Sequence, residues 1–140
     1  MAVISWNNYL DTSTITNNSA LESPVNSTEV LSTDNLKTRQ IGNVFRQVYA
    51  SVTSPNDSLV LDFDLGSAKA TDLFCVLNHT MGGYSYIISF GTSQGDDSVG
   101  SVSGTFWEGT EHDAPNELLY FTTGYTARYI RLAVAIPAAT

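Results

Sequence analysis

The chain has 140 residues, 42% of them hydrophobic and only 14% charged, with a formal net charge of −8. That length holds one domain with a proper core, and the hydrophobic content excludes a disordered tail. The acidic balance repels phosphate backbones and anionic lipid, which sets nucleic-acid and membrane partners aside.

Ser, Thr and Asn take the place of charge on the surface, and lysine occurs only at Lys37 and Lys69. Polar surfaces of this kind are common on all-β extracellular and virion proteins. The single cysteine, Cys75, sits inside an apolar run and reads as a small core residue rather than a nucleophile. No apolar run approaches the ~18 residues that span a bilayer, and the start lacks the basic region and apolar core of a signal peptide. Synthesis in a cytoplasm without disulfides is expected, with a virus particle as one route outside.

In chain order, Val3, Ile4, Trp6 and Tyr9 predict a first strand. Residues 11–32, rich in Ser, Thr and Asn and holding Pro24, read as loops with a short strand about Thr14 to Thr16. Residues 1–34 together suit a strand plus an extended segment that lies on another subunit as a docking arm. Glu29 to Asn35 reads as a turn anchored by Leu31 and Leu36. Residues 44–52 (VFRQVYASV) alternate and read as a strand, and 54–58 (SPNDS) as a turn.

The stretch 58–79 organises the rest. Leu59, Leu61, Phe63 and Leu65 fall on every second position, with Val60, Asp62 and Asp64 between them, the period of a half-buried strand. Gly66 and Ser67 break the run, Gly66 supplying a turn conformation that a side chain would forbid. Residues 72–77 (DLFCVL) then predict a second strand, buried on both faces. A loop at 78–83 (NHTMGG) leads to a strand over Tyr84 to Gly91, a polar loop at 92–98, and a glycine-interrupted strand over Val99 to Trp107. An acidic loop at 108–116 (EGTEHDAPN) precedes two last strands, Leu118 to Thr122 and Ala127 to Ile136, hinged at Gly124. Strand signals recurring about every 8 to 12 residues, with no helical stripe, predict an all-β antiparallel sandwich over a single domain, 1–140.

Little in the chain suggests a reaction centre. His79 and His112 are too few and too far apart for a zinc site. Asp96, Asp97, Glu108, Glu111 and Asp113 offer oxygen ligands to a structural calcium, but their spacing matches no calcium loop, and solvated acidic loops are the simpler account. No other cofactor is expected. Asp62 and Asp64 share one strand face, whereas a glycosidase needs carboxylates facing each other across a cleft. Neither a G-x-S-x-G elbow nor a phosphate-cradling glycine loop occurs. The expectation is a non-enzyme. Arg46, Arg128 and Arg131 are expected to pair with Asp62 or Asp64 in bidentate fashion, a structural role. Trp107 and Tyr84, with Tyr86 and Tyr125, lie near loop ends, where rings stack on sugars and Asn78, His79 or Asp113 hold hydroxyls. The competing account is that these rings fill the core or a subunit interface.

Residues 121–132 (FTTGYTARYIRL) resemble the closing strand of discoidin domains, the coagulation-factor C-type module. Residues 59–66 (LVLDFDLG) resemble that family's strand ending in Asp-Leu-Gly, with 71–77 (TDLFCVL) in place of the strand after it. Asn35-Leu36 and Val44-Phe45-Arg46 fit the preceding part, so the match runs over about 35–132. The resemblance implies a galactose-binding-like jelly roll, two antiparallel sheets face to face. The string Asn35-Leu36, Val44-Phe45-Arg46, Asp64-Leu65-Gly66, Val76-Leu77-Asn78-His79 is similar to a divergent branch found in tailed-phage structural proteins. The cysteine pair of the extracellular versions is absent and their membrane-inserting aromatic spikes have no counterpart, so lipid binding is not implied. The resulting expectation is a virion structural protein of a tailed bacteriophage, in capsid decoration or the tail and baseplate, made in the host cytoplasm. It would pack against other virion proteins and its own copies as a trimer or higher. The alternative is a carbohydrate-binding module that attaches to host surface glycans.

Overall fold

Two 19-residue strands run antiparallel along each other and carry the molecule: β4 (Ser58–Val76) and β7 (Glu117–Ala135). The computed structural model describes residues 9–19, 27–37, 46–49, 58–76, 79–107 and 117–137. The other described strands are β1 (Thr14–Asn17), β2 (Ser27–Leu31), β3 (Arg46–Tyr49), β5 (Ser85–Gly91) and β6 (Gly100–Thr105), with short 3-10 turns at Tyr9–Thr12 and Thr33–Lys37. Five strands form one antiparallel sheet in the order β1-β4-β7-β5-β6, and β2 pairs with β3 in a second. The architecture is an antiparallel β-sandwich.

The alternation read from the sequence sets the two faces of the large sheet. Leu59, Leu61, Phe63 and Leu65 on β4 face inward with Ile130, Leu132 and Val134 on β7 and Tyr86, Ile88 and Phe90 on β5. Phe90 and Val134 are completely buried, and each such side chain contributes about 2 kcal/mol relative to an exposed one. Rings fill much of this layer. Phe90 and Tyr125 stack at 4.3 Å with planes 7° apart, and Phe121 meets both edge-on. On β6 the inward positions are Gly100, Val102 and Gly104. A Cβ on Gly100 would lie 2.5 Å from the Tyr125 ring, and one on Gly104 would lie 2.7 Å from the Tyr86 hydroxyl. The glycines that interrupt the strand pattern thus leave room for aromatic rings.

Sequence and structure part company along β4 and β7. Each was expected as two strands, and each is one. Between Asp64↔Tyr129 and Lys69↔Ala127, four β4 residues (Leu65 to Ala68) stand opposite Arg128 alone. Between Thr71↔Tyr125 and Leu73↔Tyr120, four β7 residues (Phe121 to Gly124) stand opposite Asp72 alone. The excess on one strand is followed by an equal excess on the other, so the original pairing offset returns and the ladder continues to Val76↔Glu117. Gly66, at φ +80°, sits in the first bulge with open space about its Cα, and Asp64 Oδ1 accepts its N–H at 2.8 Å.

The second half of β4 is also not buried on both faces. Asp72 and Cys75 are exposed, so Cys75 is a surface thiol and not a core residue. The partial burial it does have pushes its pKa up. At the start of the chain, Thr14–Asn17 pairs with β4 as an edge strand of the main sheet. The remainder expected of the docking arm, residues 1–8 and 20–26, lies outside the described residues. The turn expected over Glu29 to Asn35 is instead the end of β2 followed by the 3-10 turn at Thr33–Lys37.

Candidate functional site

On the outward face of the large sheet, cross-strand register sets Thr16, Asp62, Arg131 and Ser89 in one row and Thr14, Asp64, Tyr129 and Gly91 in the next. Arg131 Nε and Nη2 donate to the two Asp62 oxygens at 2.7 and 2.8 Å. Asn18 Nδ2 donates to Asp62 Oδ2 as well, and Gln94 Nε2 reaches the same oxygen at 3.2 Å. Burial would raise the pKa of Asp62, which is 4% exposed, but the donors from Arg131, Asn18 and Gln94 outweigh it and hold the carboxyl below its ordinary value. Asp64 accepts from Arg128 Nε and Nη2 at 2.8 and 3.1 Å, and hydrogen bonds from Arg128 and from the Gly66 N–H lower its pKa too. The Arg128 guanidinium also lies over the Tyr129 ring, 4.9 Å from its centroid. Both carboxylates are therefore ionised and held in bidentate pairs. Neither is poised to give or take a proton at neutral pH.

The chain reaches this arrangement from two sides. After β1, the Asn18 N–H donates to Val60 O at 2.9 Å, and buried Ser19 Oγ accepts the Val60 N–H at 2.9 Å, which ties the segment down where Asn18 meets Asp62. From β5, the 92–98 loop folds over Arg131. Asp96 organises it, accepting from Ser93 N–H, Ser98 N–H and Ser98 Oγ at 3.1, 3.3 and 3.0 Å. Gly95 takes φ +82°, and a Cβ there would lie 2.7 Å from the Arg131 guanidinium carbon. The oxygens of Asp96 are engaged within the loop. Among the described residues no three His, Cys, Asp or Glu side chains come together to hold a metal. Asp97 is exposed in that loop, whereas Glu108, Glu111, His112 and Asp113 lie outside the described residues. Arg46 opens β3 opposite Leu31, and nothing of its side chain is described.

A second cluster forms at one end of the sheet, where β5 begins and β6 finishes. Gly83 N–H donates to Phe106 O and Phe106 N–H to Tyr84 O, both at 2.9 Å, and Tyr84 N–H donates to Met81 O at 3.0 Å. Met81 N–H donates to His79 Nδ1 at 3.1 Å, while the His79 ring packs 4.8 Å from Phe106, which in turn packs 4.6 Å from Tyr86. His79 is buried and Tyr84 partly buried against the core, so both support this end from beneath. Tyr86 and Tyr125 belong to the core. Trp107, the next residue along, is 51% exposed. Asn78 and Asp113 lie outside the described residues, each in a segment that adjoins this end in sequence. Of the aromatic candidates, Trp107 alone is exposed, whereas Tyr84 and Tyr125 are partly buried and Tyr86 is buried.

Asn18, Ser19 and Gln94 carry much of the outward-face geometry, and sequence reasoning missed them. Their partners lie between 32 and 44 residues away along the chain, and no local pattern marks an isolated Asn, Ser or Gln as the cap of a distant strand.

No protein-family model matches the sequence, and no curated protein does. Solved structures match in fold. The family 32 carbohydrate-binding module of Clostridium perfringens NanJ, in complex with galactose, aligns at a TM-score of 0.56 with 14% identity, covering 93% of this chain and 86% of that one. CpGH89CBM32-6, also of C. perfringens, aligns at 0.50 with 13% identity, covering 87% and 90%. The fold is thus the galactose-binding-like, discoidin-like jelly roll that the motifs implied.

Proposed function

We propose that this protein is a non-catalytic carbohydrate-binding module that holds a glycan at the sheet end marked by Trp107. The observation that carries this reading is a half-exposed indole on a rigid base. Phe106, the residue before it, and His79 are fixed by ring packing and by a run of four hydrogen bonds, three between backbone groups and one from Met81 N–H to His79 Nδ1, so the chain that carries Trp107 is already ordered before a sugar arrives. A sugar's C–H face stacks on such a ring while polar groups on adjoining loops order its hydroxyls. Likeness in fold to a galactose-bound module supports a galactose-type glycan as the first to test.

The test is retention on immobilised galactosides and on a glycan array. Trp107→Ala is expected to weaken retention about tenfold or more, the scale of one lost stacking contact with its hydrogen bonds, while the protein stays folded with a cooperative melting transition, because Trp107 is half exposed and lies outside the buried core. Equal retention by the variant, or no retention of any glycan by the parent protein, would overturn the reading. A tailed-phage particle is a setting in which such a module would serve, since many copies convert weak single sites into firm attachment. Light scattering that gives a trimer or larger supports that setting, and a stable monomer counts against it.

A further inference from the structure

The outward face of the sheet holds a cleft of about 200 Å³ where β1, β4 and β7 meet the 92–98 loop, lined by Thr14, Thr16, Asp62, Asp64, Gln94 and Tyr129. It lies apart from the Trp107 end and touches the core at Phe63. Three properties define what it can take. The first is charge. Asp62 and Asp64 are each matched by a bidentate guanidinium, so the walls offer neither an unpaired carboxylate to a cation nor an uncommitted arginine to an anion. The second is the polar lining. Thr14 and Thr16 stand exposed on the edge strand, and their hydroxyls make no hydrogen bond among the described residues. Beside them are the Gln94 amide and the partly exposed Tyr129 ring, one face of which carries Arg128. The third is size. Pockets for drug-sized ligands run to about 300–1,000 Å³, and this cleft is smaller, with room for a single six-membered ring rather than an extended chain.

We infer that this cleft is a second saccharide subsite, taking one neutral sugar ring on the sheet face at a distance from Trp107. Threonine hydroxyls and the Gln94 amide exchange hydrogen bonds with ring hydroxyls, and Tyr129 gives the apolar face a surface to lie on. The Asp62–Arg131 and Asp64–Arg128 pairs serve as a fixed floor. Their geometry is set before the sugar arrives, so binding orders few side chains. The inference stands apart from the Trp107 reading, since the two sites share no residue.

Backbone-amide NMR titration tests it with four probes, D-galactose, D-glucose, D-mannose and N-acetyl-D-glucosamine, each added to millimolar excess. At least one sugar is expected to shift the amides of residues 14–16, 94–95 and 128–129. Those shifts are expected to persist in Trp107→Ala and to disappear in Thr16→Lys, which fills the cleft from an exposed edge position. Thr16→Val, which keeps the β-branched shape and removes only the hydroxyl, is expected to weaken binding about tenfold. Silence at these amides with all four sugars would overturn the inference, as would their loss in Trp107→Ala. Persistence of the cleft shifts with no response around Trp107 upholds the subsite and defeats the Trp107 reading instead.

Discussion

Asp62 shows how much one side chain can tie together. Its carboxylate gathers Arg131 from β7, Asn18 from the segment after β1 and Gln94 from the loop after β5, three points far apart in sequence. Removing it would take from the Arg131 guanidinium, 27% exposed and close to Gly95, the carboxylate that holds it in a bidentate pair. Breaking a fully buried pair costs about 3–5 kcal/mol; with Arg131 partly in solvent, Asp62→Ala is expected to cost about 2–3 kcal/mol in urea unfolding. Asp64 and Arg128 make the same bidentate contact at 31% and 44% side-chain exposure. Solvent screens that pair, so Arg128→Ala is expected to lower the midpoint much less than Asp62→Ala. Equal losses would mean that the buried position of Asp62 adds nothing. Identical chemistry at neighbouring positions is thus graded by burial.

At the scale of elements, the paired bulges of β4 and β7 decide the shape of the large sheet. A strand that gained three unmatched residues would throw every later side chain onto the wrong face. Here the second bulge, on the partner strand, cancels the first. The first bulge needs Gly66 at φ +80°, where a Cβ meets no neighbour but the backbone is strained for an L-residue. Gly66→Ala is therefore expected to destabilise by about 1 kcal/mol, and Gly66→Asn by less, because asparagine tolerates the left-handed region. Chemical denaturation of both variants checks the order, and a silent Gly66→Ala would show that the bulge relaxes freely. The alternation from Leu59 to Leu65 was legible because each residue's face follows from its neighbours. Continuity through Gly66 and Gly124 was not, since a bulge and a chain break look alike until the partner strand is seen. Cys75 was misplaced for the same reason: its apolar neighbours suggested two covered faces, and only the packing left one of them open.

For the molecule as a whole, the carboxylates set the response to acid. Asp62, Asp64 and Asp96 all have folded pKa values below the ordinary value of about 4. Groups depressed in this way add stability that is fully present above their unfolded pKa and is lost as pH falls through the folded one. The melting temperature should therefore hold from pH 7 to about 5 and fall steeply below about 4. In Asp62→Asn that fall should be shallower, and an unchanged slope would remove Asp62 from the linkage.

The sequence alone determined the fold class, the inward stripe of β4 and the closing Ala127–Leu132 segment, because period-two alternation and local turn chemistry are properties of adjacent residues. Its strings also led to the discoidin-like jelly roll. Tertiary structure decided the rest: that Asp62 takes Arg131 while Asp64 takes Arg128, that Tyr86 and Tyr125 go to the core while Trp107 stays in water, and that a cleft opens beside Thr14 and Thr16. Those outcomes depend on cross-strand register and on which face a neighbour covers, and both are set by residues tens of positions away, beyond the reach of any local pattern.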